Sequence, residues 1–416
     1  MNLPRFSMGI GDRFALEGRA QLEAFVRLKA RGAVVAPVWN KSNREHNLIG
    51  SQPADVRAEA DTAVREAGWT EPYFVDADHI GLKTVDRFLD ASNFFTIDVA
   101  DFIGQSTGSA AIEAFADTFT PKNGLLVIPG IEPIPVDRDR VRAAAAKYLG
   151  AVREAGAIYR HIASGKPPGS YVVEVSMDET DQPQTPADLW FILAAMSREG
   201  VPLRTIAPKF TGRFNKGVDF VGDVGVFERE FRDDLAVIAH AIQQFVLPAN
   251  LKLSVHSGSD KFSLYGVIGK AVRERGAGLH LKTAGTNWLE EVAGLAEAGP
   301  EGLAIAKDVY LGALSRIDEV SAPYAAVIDI DRRRLPSPEV LRGWSGARFA
   351  AAVTHDRSCP DFNPSLRQLI HVGFKIAGEM GARYTDAVRA HRESIGRRVT
   401  SNLYDKHLVP LFLEHA

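Results

Sequence analysis

Short apolar runs that alternate with helical stretches constrain the fold of this chain more than any other feature. The runs Ala33–Trp39, Tyr73–His79, Phe94–Val99, Tyr171–Ser176, Arg204–Pro208, Lys252–His256 and Gly278–Lys282 are rich in β-branched or aromatic residues, and Leu125–Pro129 is a further short candidate. Between them lie stretches with helical spacing at Gly18–Gly32, Pro53–Gly68, Lys83–Ala91, Ser109–Phe119, Arg138–Ile162, Pro186–Arg198, Glu228–Phe245 and Phe262–Arg275. Strands separated by helices are joined by crossovers and therefore pair in parallel. Seven or eight strands before residue 285 predict an α/β fold, with a (β/α)8 TIM-like barrel and an open doubly wound sheet as rivals. The barrel is favoured because polar residues recur where strands end, as on the active rim of such barrels. No Gly-x-Gly-x-x-Gly loop follows an early strand, and Gly9-Ile-Gly11 reads as a simple turn.

Helical segments at Trp288–Ala298 and Gly302–Ile317 complete an expected catalytic barrel over residues 1–330. Asp331-Arg-Arg-Arg334, with Pro336 and Pro338, reads as a solvated connection. Beyond it, Pro364–Met380 and Thr385–Tyr404 suggest that residues 331–416 form a helical extension packed on the barrel.

Composition narrows the partners. The 416 residues are 45% hydrophobic and 24% charged with a net charge of −3, a globular balance with no general pull toward nucleic acid or anionic lipid. The lone Cys359 cannot form an internal disulfide. The amino terminus lacks the apolar stretch of a secretory signal, and no run approaches the ~20 apolar residues that span a bilayer. A soluble cytoplasmic protein is expected, with neither nucleic acid nor membrane as partner; a homo-oligomer is compatible with this.

Three histidines, His79, His256 and His280, lie at or next to the ends of strand-like runs. Neutral imidazoles gathered on one rim suit divalent Zn, Mn, Ni, Co or Fe. In Asp76-Ala-Asp78-His79 the two carboxylates share one side of a strand and His79 takes the other, unless the strand has already ended. The carboxylates could supply a metal ligand and a base, or cap the next helix. In His256-Ser257-Gly-Ser-Asp260-Lys261, Asp260 or Ser259 could cap the helix that follows, and the turn could receive a substrate anion. His280 and Lys282 share one face, and a lysine inside a barrel needs a partner. Glu174, inside an apolar strand, likewise needs pairing or a chemical role. Lys209 opens the polar loop that runs to Asp219, of the kind that holds substrate. Asp12, Arg13, Lys41 and Arg44 are weaker candidates that could grip carboxylate or hydroxyl groups, or be ordinary surface charges. A Cys–His pair from Cys359 with His355 or His371 is disfavoured.

The strings Ser7-Met-Gly-Ile-Gly-Asp-Arg-Phe14, Asp76-Ala-Asp-His-Ile80, Val255-His-Ser-Gly-Ser-Asp-Lys-Phe262, His280-Leu-Lys-Thr-Ala-Gly-Thr-Asn287 and Gln368-Leu-Ile-His-Val-Gly-Phe-Lys375 resemble the tagaturonate/fructuronate epimerase family over nearly the whole chain. The resemblance implies a divalent-metal enzyme of hexuronate catabolism that interconverts D-tagaturonate and D-fructuronate. It implies His79, His256 and His280 as metal ligands and Asp78 as proton acceptor. The proton donor is expected in the 209–219 loop, Asp219 before Lys209. Substrate contacts are expected from Asp12, Arg13, Lys41, Glu174, Ser257, Asp260, Lys261 and Lys282. Three alternatives remain: an epimerase of neutral ketohexoses, a metal-dependent aldolase or isomerase of a related sugar acid, and a sugar-acid binding protein. Turnover and product analysis separate them.

Overall fold

The computed structural model describes residues 1–283 and 286–413, so Ala284 and Gly285 of the fourth string lie outside it. Eight strands close into a barrel: β1 (Phe6–Ile10), β2 (Ala36–Ser42), β3 (Phe74–Ile80), β4 (Phe94–Asp98), β5 (Val172–Ser176), β6 (Thr205–Ala207), β7 (Lys252–His256) and β8 (Leu279–Lys282). All neighbours are parallel, order around the barrel follows the chain, and β8 returns to pair with β1. The closed barrel is therefore the fold, and the open sheet is excluded.

β1 differs from the expectation of a turn. Phe6, Met8 and Ile10 alternate with the small Ser7 and Gly9, which is strand periodicity hidden by glycine. Gly9 has a steric purpose: a Cβ there would lie 3.0 Å from Lys282 Cγ and 3.3 Å from Asn40 Oδ1. Leu125–Leu126 is not a barrel strand but half of a two-stranded antiparallel hairpin with Ile134–Pro135. Lys83–Ala91 carries only the short 3-10 turn Val85–Phe88. The segment stops because Asn93 Oδ1 accepts from Val75 N at 2.7 Å, which pins the chain to β3 before a helix can extend.

The outward faces of the strands, including Met8, Trp39, Val75, Phe95, Val175, Val255 and Leu281, are buried beneath the surrounding helices in one continuous core. Inside, Ala36, Val38, Phe74, Phe94 and Val172 make an apolar floor that Leu3 covers. Above this floor the lining turns polar, with Asp76, Thr96, Glu174, Thr205 and Lys282 all buried. Within the described residues after β8 there are only helices, short turns and connections. Helices Gly346–Val353 and Arg392–Ser401 pack on Thr286–Glu297, and Arg392–Ser401 also packs on Gly18–Ala30. Asp260 ties barrel to tail: it lies 2.7 Å from Arg367 Nη2, 3.2 Å from His355 Nδ1 and 3.3 Å from His407 Nε2. Among the described residues no helix is long and apolar enough to cross a membrane.

Candidate metal and active site at the barrel rim

The end of β3 departs from strand geometry. His79 takes φ +52°, a left-handed conformation uncommon for a non-glycine residue and typical of functional sites. The β3–β4 register shifts between Ala77 and Ile80. Strict alternation would send His79 outward, opposite Asp78; the bulge brings both to the mouth instead. There His79 Nδ1 lies 2.6 Å from Asp78 Oδ1, and its Nε2 faces Asp178 Oδ1 at 3.5 Å. From β7, His256 Nε2 lies 2.7 Å from Glu174 Oε1, and its Nδ1 faces the same Asp178 oxygen at 3.2 Å.

His79, Asp178 and His256 each offer a ligand atom within 4.8 Å of the other two, the one such group found among the described residues. Both inward imidazole nitrogens are buried without a hydrogen bond. The opposite nitrogen of each ring is braced by a carboxylate, the arrangement that fixes tautomer and orientation in metal-binding histidines. A divalent cation fits these donors: two imidazoles and one carboxylate. The electrostatics agree. Burial opposes charge on His256, but Asp178 and Glu174 outweigh it and raise its pKa to about 9. His79 is raised for the same reason by Asp78 and Asp178, so the cluster favours positive charge. Asp178 is held well below the usual carboxylate range, because the two imidazoles overcome its burial.

Beneath the cluster lies Lys282. Its Nζ is 2.7 Å from Asp76 Oδ2, 2.6 Å from Asp78 Oδ1, 2.6 Å from Thr96 Oγ1 and 3.6 Å from Glu174 Oε1. Burial would strip its proton, but Asp76, Asp78 and Glu174 raise its pKa instead. Burial raises the Asp76 pKa to about 6 despite the ammonium. Lys282 thus has the partners that an interior lysine needs, and it locks the two bracing carboxylates in place.

His280 does not join the cluster. It faces the interior like Lys282, but two residues earlier along β8 it sits roughly 7 Å deeper. Its Nδ1 is 2.9 Å from Ser7 Oγ, its ring lies 5.2 Å from that of Phe94 on the floor, and burial lowers its pKa to about 3. Asp178, just past the end of β5, takes the third place. Other expected site residues have structural partners. Asp12 accepts from the amides of Phe14, Ala15, Leu16 and Glu17 at 2.6–3.0 Å, so it builds a turn. Lys41 Nζ donates to Arg13 O at 2.5 Å, and Arg13 pairs with Glu45 over the ring of Phe374. Ser257 Oγ donates to Lys282 O at 3.0 Å. Asp260 neither caps its helix nor opens on the rim, being held by Arg367. Lys261 Nζ donates to Asn215 O and Val218 O at 3.1 and 2.9 Å. Asp219 accepts from Ser263 Oγ at 2.9 Å, and Lys209 Nζ donates to Thr180 O. The structure therefore does not bring Asp219 or Lys209 to the cluster as proton donors.

Sequence reasoning overlooked Asp178 and Asp98. Both carry the signal used elsewhere, a carboxylate at or just beyond a strand end. Burial raises the pKa of Asp98, against the opposing charge of His79.

The chain is similar to known proteins along most of its length. Residues 1–376 match the family model described as tagaturonate epimerase. The tagaturonate/fructuronate epimerase of Thermotoga maritima is 30% identical over 386 residues, covering 89% of this chain and 73% of that protein. Two glycerol-complexed crystal structures of fructuronate-tagaturonate epimerase from Cohnella laeviribosi, 24% identical, share the fold with TM-scores of 0.79 and 0.80. They cover 98% and 99% of this chain and 81% and 82% of theirs. With the barrel and its rim cluster described, the extent of the family match settles the assignment: the chain belongs to the tagaturonate epimerase family, a family of isomerases.

Proposed function

We propose that this protein interconverts D-tagaturonate and D-fructuronate at the barrel rim, using a divalent cation held by His79, Asp178 and His256. The observation that carries the metal assignment is the pair of orphaned, carboxylate-braced imidazole nitrogens facing Asp178. When bound, the cation would supply Lewis-acid stabilisation of negative charge on the ketone-bearing half of the substrate. Two histidines and a carboxylate accept Zn, Mn, Ni, Co or Fe.

The two sugar acids differ at a carbinol carbon β to the ketone. Its hydrogen is not acidic, so inversion calls for breaking and remaking the adjacent carbon–carbon bond, a retro-aldol followed by an aldol. Asp78 is the proposed proton acceptor. Lys282 and His79 outweigh its burial and hold it ionised, so it can take a proton but is a weaker base than a free carboxylate while that pairing lasts. Asp98 replaces Asp219 and Lys209 as the proposed proton donor, because burial favours its protonated form. Lys282 keeps Asp78 and Glu174 oriented. The partner is a small sugar acid, and the proposed compartment is the cytoplasm, in keeping with a single cysteine.

The test is an epimerisation assay on tagaturonate and fructuronate with chelator-treated and metal-restored protein. Full activity in the metal-depleted protein would remove the cation from the reaction. Asp78→Asn, assayed at saturating metal because Asp78 also braces His79, is expected to slow turnover by about 100-fold or more; near-normal turnover would acquit Asp78.

A further inference from the structure

Lys216, His371 and Arg13 form a basic group near the mouth that the metal seat does not use. Lys216 follows β6 in the loop that docks on the β7 turn, where Gly217 N donates to Ser259 Oγ at 2.9 Å. Its side chain lies over Gly258, two residues past His256: a Cβ at that glycine would be 3.5 Å from Lys216 Nζ. Lys216 is a half-buried residue that, among the described residues, makes no ion pair within 4.0 Å and no side-chain hydrogen bond. His371 is 1% exposed, and neither ring nitrogen has a partner. Its Cβ is 3.4 Å from the position a Cβ would take on Gly217. Arg13 pairs with Glu45, yet its buried Nε is unpartnered. A free ammonium beside two buried side chains with unpartnered N–H groups, close to a site for an acidic sugar, calls for an anion.

We propose that Lys216, with the N–H groups of His371 and Arg13, binds the carboxylate of the substrate and makes it the pivot of the inversion. This rests on the epimerase reading above. Burial, then Arg13 and Lys216, keep the His371 pKa well below its ordinary value, so the ring is neutral with one N–H to donate. Burial also lowers the Lys216 pKa, Glu179 and Asp78 counter it, and Arg44 and Arg13 add to it, so an arriving carboxylate relieves the crowding of cations.

The chemistry explains why a pivot is required. The base takes the proton of the hydroxyl on the reacting carbon. The bond from that carbon toward the ketone breaks, and its electron pair passes to the ketone-bearing fragment as an enediolate. The reacting carbon becomes an aldehyde on a three-carbon fragment that also bears the carboxylate. That aldehyde turns over about its bond to the next carbon, the carbon–carbon bond re-forms on its other face, and the alkoxide regains a proton. Between cleavage and reclosure no covalent bond retains the fragment. Only an anchor at the carboxylate end holds it while the aldehyde end turns.

Manganese-restored protein gives the test, with calorimetric binding of galactonate, an unreactive six-carbon sugar acid, and galactitol, its uncharged counterpart. The intact protein is expected to prefer galactonate. Lys216→Met and Lys216→Gln are expected to weaken galactonate by about 10-fold or more, as for a lost charge-assisted hydrogen bond, and to leave galactitol unchanged. Both are expected to release dihydroxyacetone from tagaturonate during turnover, and the intact protein is expected to release none. His371→Phe is expected to weaken galactonate as well. Equal affinity for the two ligands in the intact protein, or unaltered galactonate binding in a folded Lys216 variant, would overturn the proposal. Preference for galactonate that the Lys216 variants lose, without epimerisation, would instead fault the epimerase reading and leave the anion site standing.

Discussion

Replacing Glu174 by Gln distinguishes a braced metal seat from a bare one. Glu174 Oε1 lies 2.7 Å from His256 Nε2 and 3.2 Å from Thr96 Oγ1, while Oε2 accepts from Thr205 Oγ1 at 2.7 Å. Glutamine keeps the shape and, with its oxygen toward His256, that hydrogen bond; its NH2 must donate to Thr205 Oγ1 where the carboxylate accepted, and the charge behind the imidazole is lost. Such outer carboxylates contribute about 10–100-fold in metal affinity, or about 1.4–2.7 kcal/mol. The upper end is expected, because the Glu174 and His256 side chains are only 0% and 6% exposed and water screens them little. His256→Ala removes a ligand and should lose more than this. His280→Asn should change affinity by less than about threefold, a distance effect, since that ring is bonded to Ser7 below the seat. The assay is competition for zinc against a chromophoric chelator, with circular dichroism to confirm folding. Unchanged zinc affinity in Glu174→Gln would refute the bracing. A loss in His280→Asn as large as in His256→Ala would restore a seat of three histidines.

Metal affinity should also depend on pH. With its pKa near 9, His256 is protonated at neutral pH when no cation is bound, so the cation must displace a proton. Affinity is expected to climb about tenfold per pH unit for each proton displaced, up to about pH 9; a flat profile between about pH 6 and 9 in chelator-buffered titrations would contradict this. Arg367→Met leaves the Asp260 carboxylate buried with only imidazole partners and should cost about 3–5 kcal/mol of stability by urea denaturation. A loss below about 1 kcal/mol would mean that the pair is not what holds the tail to the barrel. In the intact protein Arg367, then His355 and His407, overcome burial and keep Asp260 well below the usual carboxylate range. Its stabilising contribution is therefore present above the unfolded pKa of about 3.9 and is lost only as pH falls through the lower folded value. Gly258→Ala forces a side chain to adopt φ +67° and should destabilise by about 1–2 kcal/mol, read from the same denaturation curves.

The barrel was legible because period-2 and period-3.6 patterns survive in most strands and helices. β1 escaped because Gly9, required by the Lys282 side chain, looks like a turn residue when sequence is all that is seen. The site was legible as a set of strand-end polar residues, but depth within the barrel was not. His280 and Lys282 share a face, yet only the end of β8 decides which of them reaches the mouth. The placing of His79 depends on one backbone angle that no composition rule foretells. Asp260 resembled a helix cap or a substrate contact because Arg367, its partner, lies 107 residues further on.

The pairing of β1 with β8 has a consequence for biosynthesis. Ser7 and His280 meet across 273 residues of sequence. A nascent chain leaving the ribosome therefore carries β1 with one unpaired edge until nearly three hundred residues have been made. The notch at Gly9 that receives Lys282 forms only when that edge is closed. Until then the acidic side chains that Lys282 neutralises lack their counter-ion, so completing the barrel and switching on its chemistry are one late event.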